Sequence, residues 1–145
     1  MKATLLSIYK ALLVPLVLFF APIYMMVFLV GLTTIIDTAF GIWKAKSLKE
    51  GISSKKCRKG LVPKIKSYVI IILLLFVADY YIVNELTHLF VSIDYVSTKL
   101  VSFTLILIEV KSMDESFEKV KGYSFISKLY GNIKNIKKVK DDLEP

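Results

Sequence analysis

The chain alternates long uncharged runs with short segments that are dense in lysine. The first run covers residues 11–36 and contains no charged side chain. At about 1.5 Å per helical residue, a run of this length is enough to cross a hydrocarbon core of about 30 Å. Proline suits the first turn of a helix, so Pro22 is predicted to open a spanning helix over about 22–43. Residues 3–20 would then form a separate amphipathic or partly inserted helix. A single kinked helix over 12–36 is the alternative.

Two further spans are predicted, over residues 67–83 and 89–108. The first of these has tyrosines near both ends, where an aromatic belt lies at the membrane surface. The second is less apolar because it contains Asp94 and Lys99. We nevertheless expect it to span, because three spans place both basic segments of the chain on the cytoplasmic side.

Positive charge is concentrated between the first two predicted spans. Residues 44–66 carry nine basic side chains and one acidic side chain, and their glycines, serines and proline predict an irregular loop. Short basic loops remain in the cytoplasm, so the N-terminus is expected outside and the C-terminus inside. The expected topology signals and contacts to anionic lipid are Lys44, Lys46, Lys55, Lys56, Arg58, Lys59, Lys64 and Lys66.

The C-terminal segment, residues 110–145, is predicted to be a cytoplasmic tail of mixed charge. Apolar residues recur in it at helical spacing, with lysines between them: Ile126, Leu129, Ile133, Ile136 and Val139. This pattern fits a basic amphipathic helix on the inner leaflet, and a solvated, partly disordered tail is the alternative.

The composition agrees with a membrane location. The 145 residues are 55% hydrophobic with a mean hydropathy of +0.61, and the 22% that are charged are segregated from the apolar runs. A soluble domain of this size could not bury so much apolar surface. We therefore predict one membrane domain over 1–145, an all-α integral membrane protein with three transmembrane helices.

The same composition argues against several functional classes. The net charge of +8 lies beside apolar runs, which favours topology and lipid contact over nucleic-acid binding. With one cysteine and one histidine, a single chain cannot build a disulfide framework, a zinc site or a Cys/His nucleophilic pair. The sequence also lacks a phosphate-binding glycine loop and the common hydrolase motifs. We expect no enzymatic activity, metal, cofactor or small-molecule substrate.

The stretch TTIIDTAFGIWKAK, residues 33–46, places an acidic residue directly after the first uncharged run. An acid at the centre of a membrane helix costs about 2.5–3.5 kcal/mol and less near its end, so such residues usually face protein or water. Residues spaced by four share one face of this helix: Thr33, Asp37, Gly41 and Ala45. Small residues on that face permit the close approach of another helix.

Acidic and hydroxyl residues also occur in the other predicted spans. Asp79 lies in the second span, and Ser102 and Glu109 lie in and just after the third. Together with the face that carries Asp37, they predict helices that associate through polar faces and line an aqueous path. The alternative places Asp37 and Asp79 at the water interface and makes Glu109 the end of a helix.

Four segments, taken in order, resemble the phage lysis and toxin-secretion holins. DTAFGIWKA (Asp37–Ala45) is similar to the D-x-x-x-G-x-x-x-A segment that closes the first span of that family. SSKKCRKGLVPKIKSY (Ser53–Tyr68) resembles the loop that follows, in which a serine and a basic-glycine cluster precede a lysine that opens the second span. Asp79 late in that span and LILIEVKSMDES (Leu105–Ser116) at the end of the third are also similar. The resemblance covers about residues 33–116.

The resemblance implies a small host-membrane protein that accumulates and then oligomerises into lesions. Such lesions let a phage endolysin reach the cell wall, or release toxins in related systems. The implied partners are other copies of the chain and, functionally, an endolysin, and the implied location is the bacterial cytoplasmic membrane. A structural or accessory membrane subunit and a small channel are the competing classes.

Overall fold

The computed structural model describes residues 2–90 and 92–141, with side chains from residue 10 to 133 except 56 and 91. The described residues form helices joined by short turns, and no strand occurs among them. The elements in chain order are α1 (Lys2–Phe20), a 3₁₀ turn (Ala21–Ile23), α2 (Tyr24–Ser47), α3 (Ser54–Ala78), a π-helical stretch (Asp79–Val83), α4 (Asn84–Thr87), α5 (Val96–Lys121) and α6 (Phe125–Asp141).

Two segments of this all-helical chain are long and apolar enough to cross a membrane, Lys10–Ser47 and Cys57–Thr87. They agree with the predicted class of membrane protein. Helix α5 is not one of these segments, because it contains more charged residues. A third span therefore stays a prediction.

The first uncharged run is broken at Pro22, as predicted. Pro22 lies in the 3₁₀ turn between α1 and α2, because a proline without an N–H cannot continue the helical hydrogen-bond ladder. The break at Pro22 agrees with the version with two helices, although the helical path continues from α1 through the 3₁₀ turn into α2 without a gap. Which of these residues span the membrane stays a prediction. Helix α2 runs one turn past Trp43, to Ser47.

Helix α1 lies largely outside the packed part of the molecule. Every side chain from residue 10 to 18 is exposed, and apolar residues point in all directions around the helix. Residues 11–18 are therefore apolar all round, so an amphipathic helix does not describe this part of α1, and the partly inserted version stays a prediction. Phe19 and Phe20, at the end of α1, are the residues that pack on the core.

The predicted loop over 44–66 is mostly helical. Helix α2 extends to Ser47 and α3 begins at Ser54, so only residues 48–53 connect them. Glycine and proline signals are local, whereas the packing of one face supplies most of the stability of a helix. Pro63 is accordingly tolerated inside α3. The predicted irregular loop is wrong, and the second helix begins well before residue 67.

The helix of the third predicted span is displaced along the chain. Helix α5 begins at Val96 and ends at Lys121, compared with the predicted 89–108. The turn before it is fixed by a side chain, because the amide oxygen of Asn84 accepts the backbone N–H of Tyr95 at 2.9 Å. Tyr95 itself has a left-handed backbone, with φ at 56°.

Part of the predicted tail is helical. Gly122, with φ at 78°, ends α5, and α6 begins at Phe125 after two intervening residues. Of the helices described, α6 is the most amphipathic. The helix that the apolar spacing predicted is therefore present, and its contact with a leaflet stays a prediction.

Helices α2, α3 and α5 pack into a three-helix unit. The buried apolar core is formed by Ile23, Val30, Ile72, Phe76 and Leu105. The rings of Phe76, late in α3, and Tyr95, directly before α5, have centroids 5.2 Å apart. At the other end Trp43, late in α2, stacks on Phe117, late in α5, at 5.9 Å. Helices α2 and α5 therefore run parallel to each other, and α3 runs antiparallel to both.

Candidate functional site

A lysine joins two acidic residues at the centre of the three-helix unit. The Nζ atom of Lys64, on α3, lies 2.9 Å from Oδ2 of Asp37 on α2 and 3.1 Å from Oε2 of Glu109 on α5. Glu109 is fully buried, and Asp37 is 9% exposed. One ammonium group therefore connects all three helices.

Further donors complete this network. The hydroxyl of Tyr68 donates to Oε1 of Glu109 at 2.6 Å. The Ser112 side chain lies within hydrogen-bonding reach of the Asp37 carboxylate. Buried carboxylates are stable only when cations and hydrogen bonds replace their hydration, and the network supplies both. In their ionised forms, two carboxylates and one ammonium leave the network with one net negative charge.

A second polar cluster lies towards the opposite end of the unit. Oδ2 of Asp79 accepts both the backbone N–H and the hydroxyl of Thr98, each at 2.7 Å, and all of these atoms belong to fully buried residues. Oδ1 of Asp79 and the hydroxyl of Ser102, one turn further along α5, have no hydrogen-bond partner. Asp79 also begins the π-helical stretch, a feature that is frequent at functional sites. This cluster attaches the end of α3 to the start of α5.

The small residues of the predicted face on α2 line an open cavity of about 320 Å³ at the end of the unit that carries the 48–53 connection. Gly41 and Ala45 lie on one wall, with Asp37 and Lys64 at the inner side and Ser116 on α5 opposite. Gly41 leaves open space there, since an added Cβ would meet no atom within 4 Å. The lysine network is therefore accessible from this end of the molecule.

The predicted polar residues are thus placed mainly between helices of one chain. Asp37, Asp79, Ser102 and Glu109 are all buried. Glu109 does not end a helix, since α5 continues to Lys121. The depth of Asp37 and Asp79 relative to the membrane surface stays a prediction. Thr33 is different, because its hydroxyl donates to backbone carbonyls of its own helix.

The predicted lipid-contact residues divide into two groups. Five side chains are exposed, as expected for such contacts: Lys46, Lys55, Arg58, Lys59 and Lys66. Lys44 is half-buried and Lys64 takes part in the network, while the Lys56 side chain lies outside the described residues. Lipid contact itself stays a prediction for all of them.

The sequence reasoning missed the partners of the acidic residues. Tyr68 was read as an interfacial tyrosine and Lys64 as a lipid contact. A signal for both exists in the sequence, because Lys64, Tyr68, Ile72 and Phe76 recur every four residues and so share one face of α3. Two of these four residues are apolar, which marks that face as the buried one.

A further buried acid lies outside the predicted spans and holds α6. Ser124 donates its hydroxyl to Asp114 at 2.7 Å, and the N–H groups of Phe125 and Ile126 donate to the same carboxylate at 2.8 and 3.3 Å. Burial alone would raise the pKa of Asp114. The hydrogen bonds from Ser124, Ile126 and Phe125 outweigh it and hold the pKa below its usual value. Asp114 therefore acts as an N-terminal cap for α6.

Comparison with known proteins gives one match. A family model described as the bacteriophage holin family matches residues 14–138, which is most of the chain and includes both polar clusters. No curated protein and no solved structure matches the chain.

Proposed function

The chain belongs to the bacteriophage holin family, and from this membership we propose that it assembles in the bacterial cytoplasmic membrane into lesions that release a phage endolysin, or a toxin, for lysis of the host. The observation that carries the proposal is the family match over residues 14–138. The two apolar segments, Lys10–Ser47 and Cys57–Thr87, support a holin-type membrane protein.

We place three spans in the membrane, formed by the apolar parts of α2, α3 and α5, so that Asp114 and the last turns of α5 lie outside the third span. The outward side of α5 supports this placement, because Leu100, Phe103, Leu107 and Ile108 are all at least half exposed. Its one acid at the same depth, Glu109, faces inwards and is paired with Lys64. A hydropathy scale assigns Glu109 the free-energy cost of a charge surrounded by lipid. Its ion pair with Lys64 removes most of that cost.

The proposed topology has the N-terminus outside and the C-terminus in the cytoplasm. Helices α2 and α5 run parallel, so the lysines after α2 and the basic tail after α5 lie at the same end of the unit. Positive segments at one end favour a cytoplasmic position, next to anionic lipid. The partners we propose are other copies of this chain, anionic lipid and an endolysin.

Inducible expression in bacteria tests the proposal. We expect growth to stop abruptly and the membrane potential, followed with a voltage-sensitive dye, to collapse at a defined time after induction. Lysis should follow only in cells that also produce an endolysin without an export signal of its own. Cells that grow normally and keep their potential, with the protein accumulated in the membrane, would contradict the proposal and favour an accessory subunit.

A further inference from the structure

An apolar groove of about 340 Å³ lies between α2 and α5, near the end of the unit that carries the basic connection. It is lined by Ala39, Phe40, Trp43 and Phe117, none of which lines the cavity beside Gly41. The ring of Trp43 stacks on Phe117 with centroids 5.9 Å apart and meets Phe40 edge-on at 6.1 Å. The wall of the groove is therefore mainly aromatic. Ala39 is exposed, so the groove is open to the surroundings of the unit.

In the proposed orientation this groove lies at the inner surface of the membrane. At about 1.5 Å per residue, Trp43 lies about 30 Å along α2 from Tyr24, which is the thickness of the hydrocarbon core. Tryptophan is enriched at this depth, because its ring is apolar and its indole N–H is polar. The groove is therefore placed where the headgroups of the inner leaflet join their acyl chains.

Lysines follow the groove on both of its helices. Lys46 comes three residues after Trp43, and Lys121 comes four residues after Phe117, so each lysine shares a helix face with an aromatic residue of the groove. Both lysines are exposed, and neither forms an ion pair with a described residue. The last turn of α5 contains one acid, whose charge a further lysine, Lys119, balances. Two ammonium groups are thus available to an anion beside the cytoplasmic end of the groove.

Building on the membrane orientation of the proposed function, we propose that this groove binds an anionic phospholipid of the inner leaflet. The upper part of one acyl chain lies against Trp43 and Phe117, and the ammonium groups of Lys46 and Lys121 contact the phosphate. The groove is at the small end of the range for ligand pockets, about 300–1,000 Å³. It therefore holds part of one chain, and the remainder of the lipid stays in the bilayer.

Charge favours a lipid over a second copy of the chain as the occupant. In one membrane, the part of a second copy at the same depth is its own basic end, where residues 44–66 carry nine basic side chains and one acidic side chain. Two such ends repel each other, whereas an anionic headgroup is complementary to both. A bound lipid would also reduce the repulsion between neighbouring copies, which the proposed assembly must overcome.

The fluorescence of Trp43, the one tryptophan of the chain, reports on the groove directly. The full chain is reconstituted in phosphatidylcholine vesicles that contain increasing fractions of brominated phosphatidylglycerol or, in parallel, brominated phosphatidylcholine. Bromine in the upper part of the acyl chain quenches tryptophan only at close range. We expect half-maximal quenching at a mole fraction of the anionic lipid that is lower by about fivefold or more, since each lysine near an anionic headgroup contributes about that factor. Equal quenching by the two lipids would overturn the site.

Replacing the two lysines tests the proposed headgroup contacts. In the double variant Lys46→Gln with Lys121→Gln, the two brominated lipids should quench equally. The matched control, Lys55→Gln with Lys59→Gln, removes two exposed positive charges at the same end of the unit but outside the groove, and it should keep the preference. An equal loss in both double variants would show attraction to the basic end as a whole and would contradict a defined site. An unchanged preference in the first variant would contradict it as well.

The outcomes separate this inference from the proposed function. If quenching by both lipids falls as the ratio of protein to lipid is raised, a second copy occupies the groove and the lipid site is wrong. The membrane potential in expressing cells is measured independently of this binding. A potential collapse without any lipid preference at Trp43 would leave the proposed function standing and overturn the site alone.

Discussion

At the scale of single residues, the defining contact is one ammonium shared by two carboxylates. Glu109 is fully buried, so its charge depends on Lys64 and on the hydroxyl of Tyr68. Removing one partner of a buried pair is costly because the other charge is left without compensation. The same lysine is partly exposed to the cavity beside Gly41, so it connects the buried network with water.

Replacing Lys64 tests whether the buried charge of Glu109 depends on this lysine. We expect Lys64→Gln to lower the free energy of unfolding by about 1–3 kcal/mol, because Glu109 loses its cation but keeps the hydrogen bond from Tyr68, and because Lys64 is itself partly exposed to water. Lys66→Gln, two residues away on the exposed side of α3, is the matched control and should change stability by about 0.5 kcal/mol or less. The free energies of unfolding of both variants are measured by denaturant titration of the protein in detergent micelles. Unfolding is followed by the loss of the helical circular dichroism signal. Equal midpoints for the two variants would contradict the assigned role of Lys64.

Replacing Asp37 separates folding from lesion formation. In Asp37→Leu, Lys64 keeps Glu109 as a single partner, so membrane insertion and the amount of protein in the membrane fraction should be retained. The onset of potential collapse should be delayed or lost, because the variant lacks a carboxylate on the face of α2 that is predicted to line an aqueous path. Thr33→Val is the control and should keep the normal onset, since that hydroxyl bonds only its own helix. An unchanged onset for Asp37→Leu would show that this carboxylate is dispensable for lesions.

At the scale of helices, polar side chains decide where elements begin and how they join. Pro22 separates α1 from α2, Asn84 fixes the turn before α5, and Asp114 caps α6. An aromatic cluster around Phe117 and Tyr123 lies next to that cap. The tail helix is therefore attached to the end of α5 through defined contacts.

The cap predicts a pH dependence for α6. Because folding lowers the pKa of Asp114, its contribution is fully present above the pKa of the unfolded chain, about 4, and is lost as the pH falls through the folded value. We expect the exchange protection of the Phe125 and Ile126 amides, corrected for the intrinsic pH dependence of exchange, to be high at neutral pH and to fall below about pH 4. Asp114→Ala should show low protection throughout, while Glu115→Ala, at the exposed neighbour, should resemble the unmodified chain. Protection of α6 in Asp114→Ala at neutral pH would exclude the cap.

At the scale of the whole molecule, the fold is a membrane bundle whose polar residues are internal. The parallel arrangement of α2 and α5 brings the basic connection 48–53 and the lysine-rich tail to one end. The turn residues 88–90 and 92–95 lie at the other end. Charge and packing therefore favour one orientation across the membrane.

The orientation predicts which cysteines react from outside. In protoplasts before the onset of lesions, an impermeant maleimide should label Ser92→Cys, made in a Cys57→Ser background, since Ser92 is exposed in the outer turn. Native Cys57, beside the basic connection, should react only after the membrane is permeabilised. The reverse pattern would invert the topology, and labelling of both before onset would exclude a span between them.

Much of the fold could be read from local signals. The uncharged runs located α2 and the apolar half of α3, and Pro22 marked the break between α1 and α2, because these features act within one segment. The start of α3 was misplaced, since Gly60 and Pro63 are loop signals that packing overrides. The start of α5 was misplaced because apolar residues continue into the turn before Val96.

The sequence by itself determined that acidic residues lie in the predicted spans and that hydroxyl and small residues share their helix faces. Only the tertiary structure decided that Lys64 pairs with Asp37 and Glu109, which are 27 and 45 positions away. Periodicity shows which side of its own helix a residue occupies, but it does not show how that helix is rotated against its neighbours. The rotation of α3 directs Lys64, a predicted lipid contact, between α2 and α5, where the buried carboxylate of Glu109 needs a cation within reach.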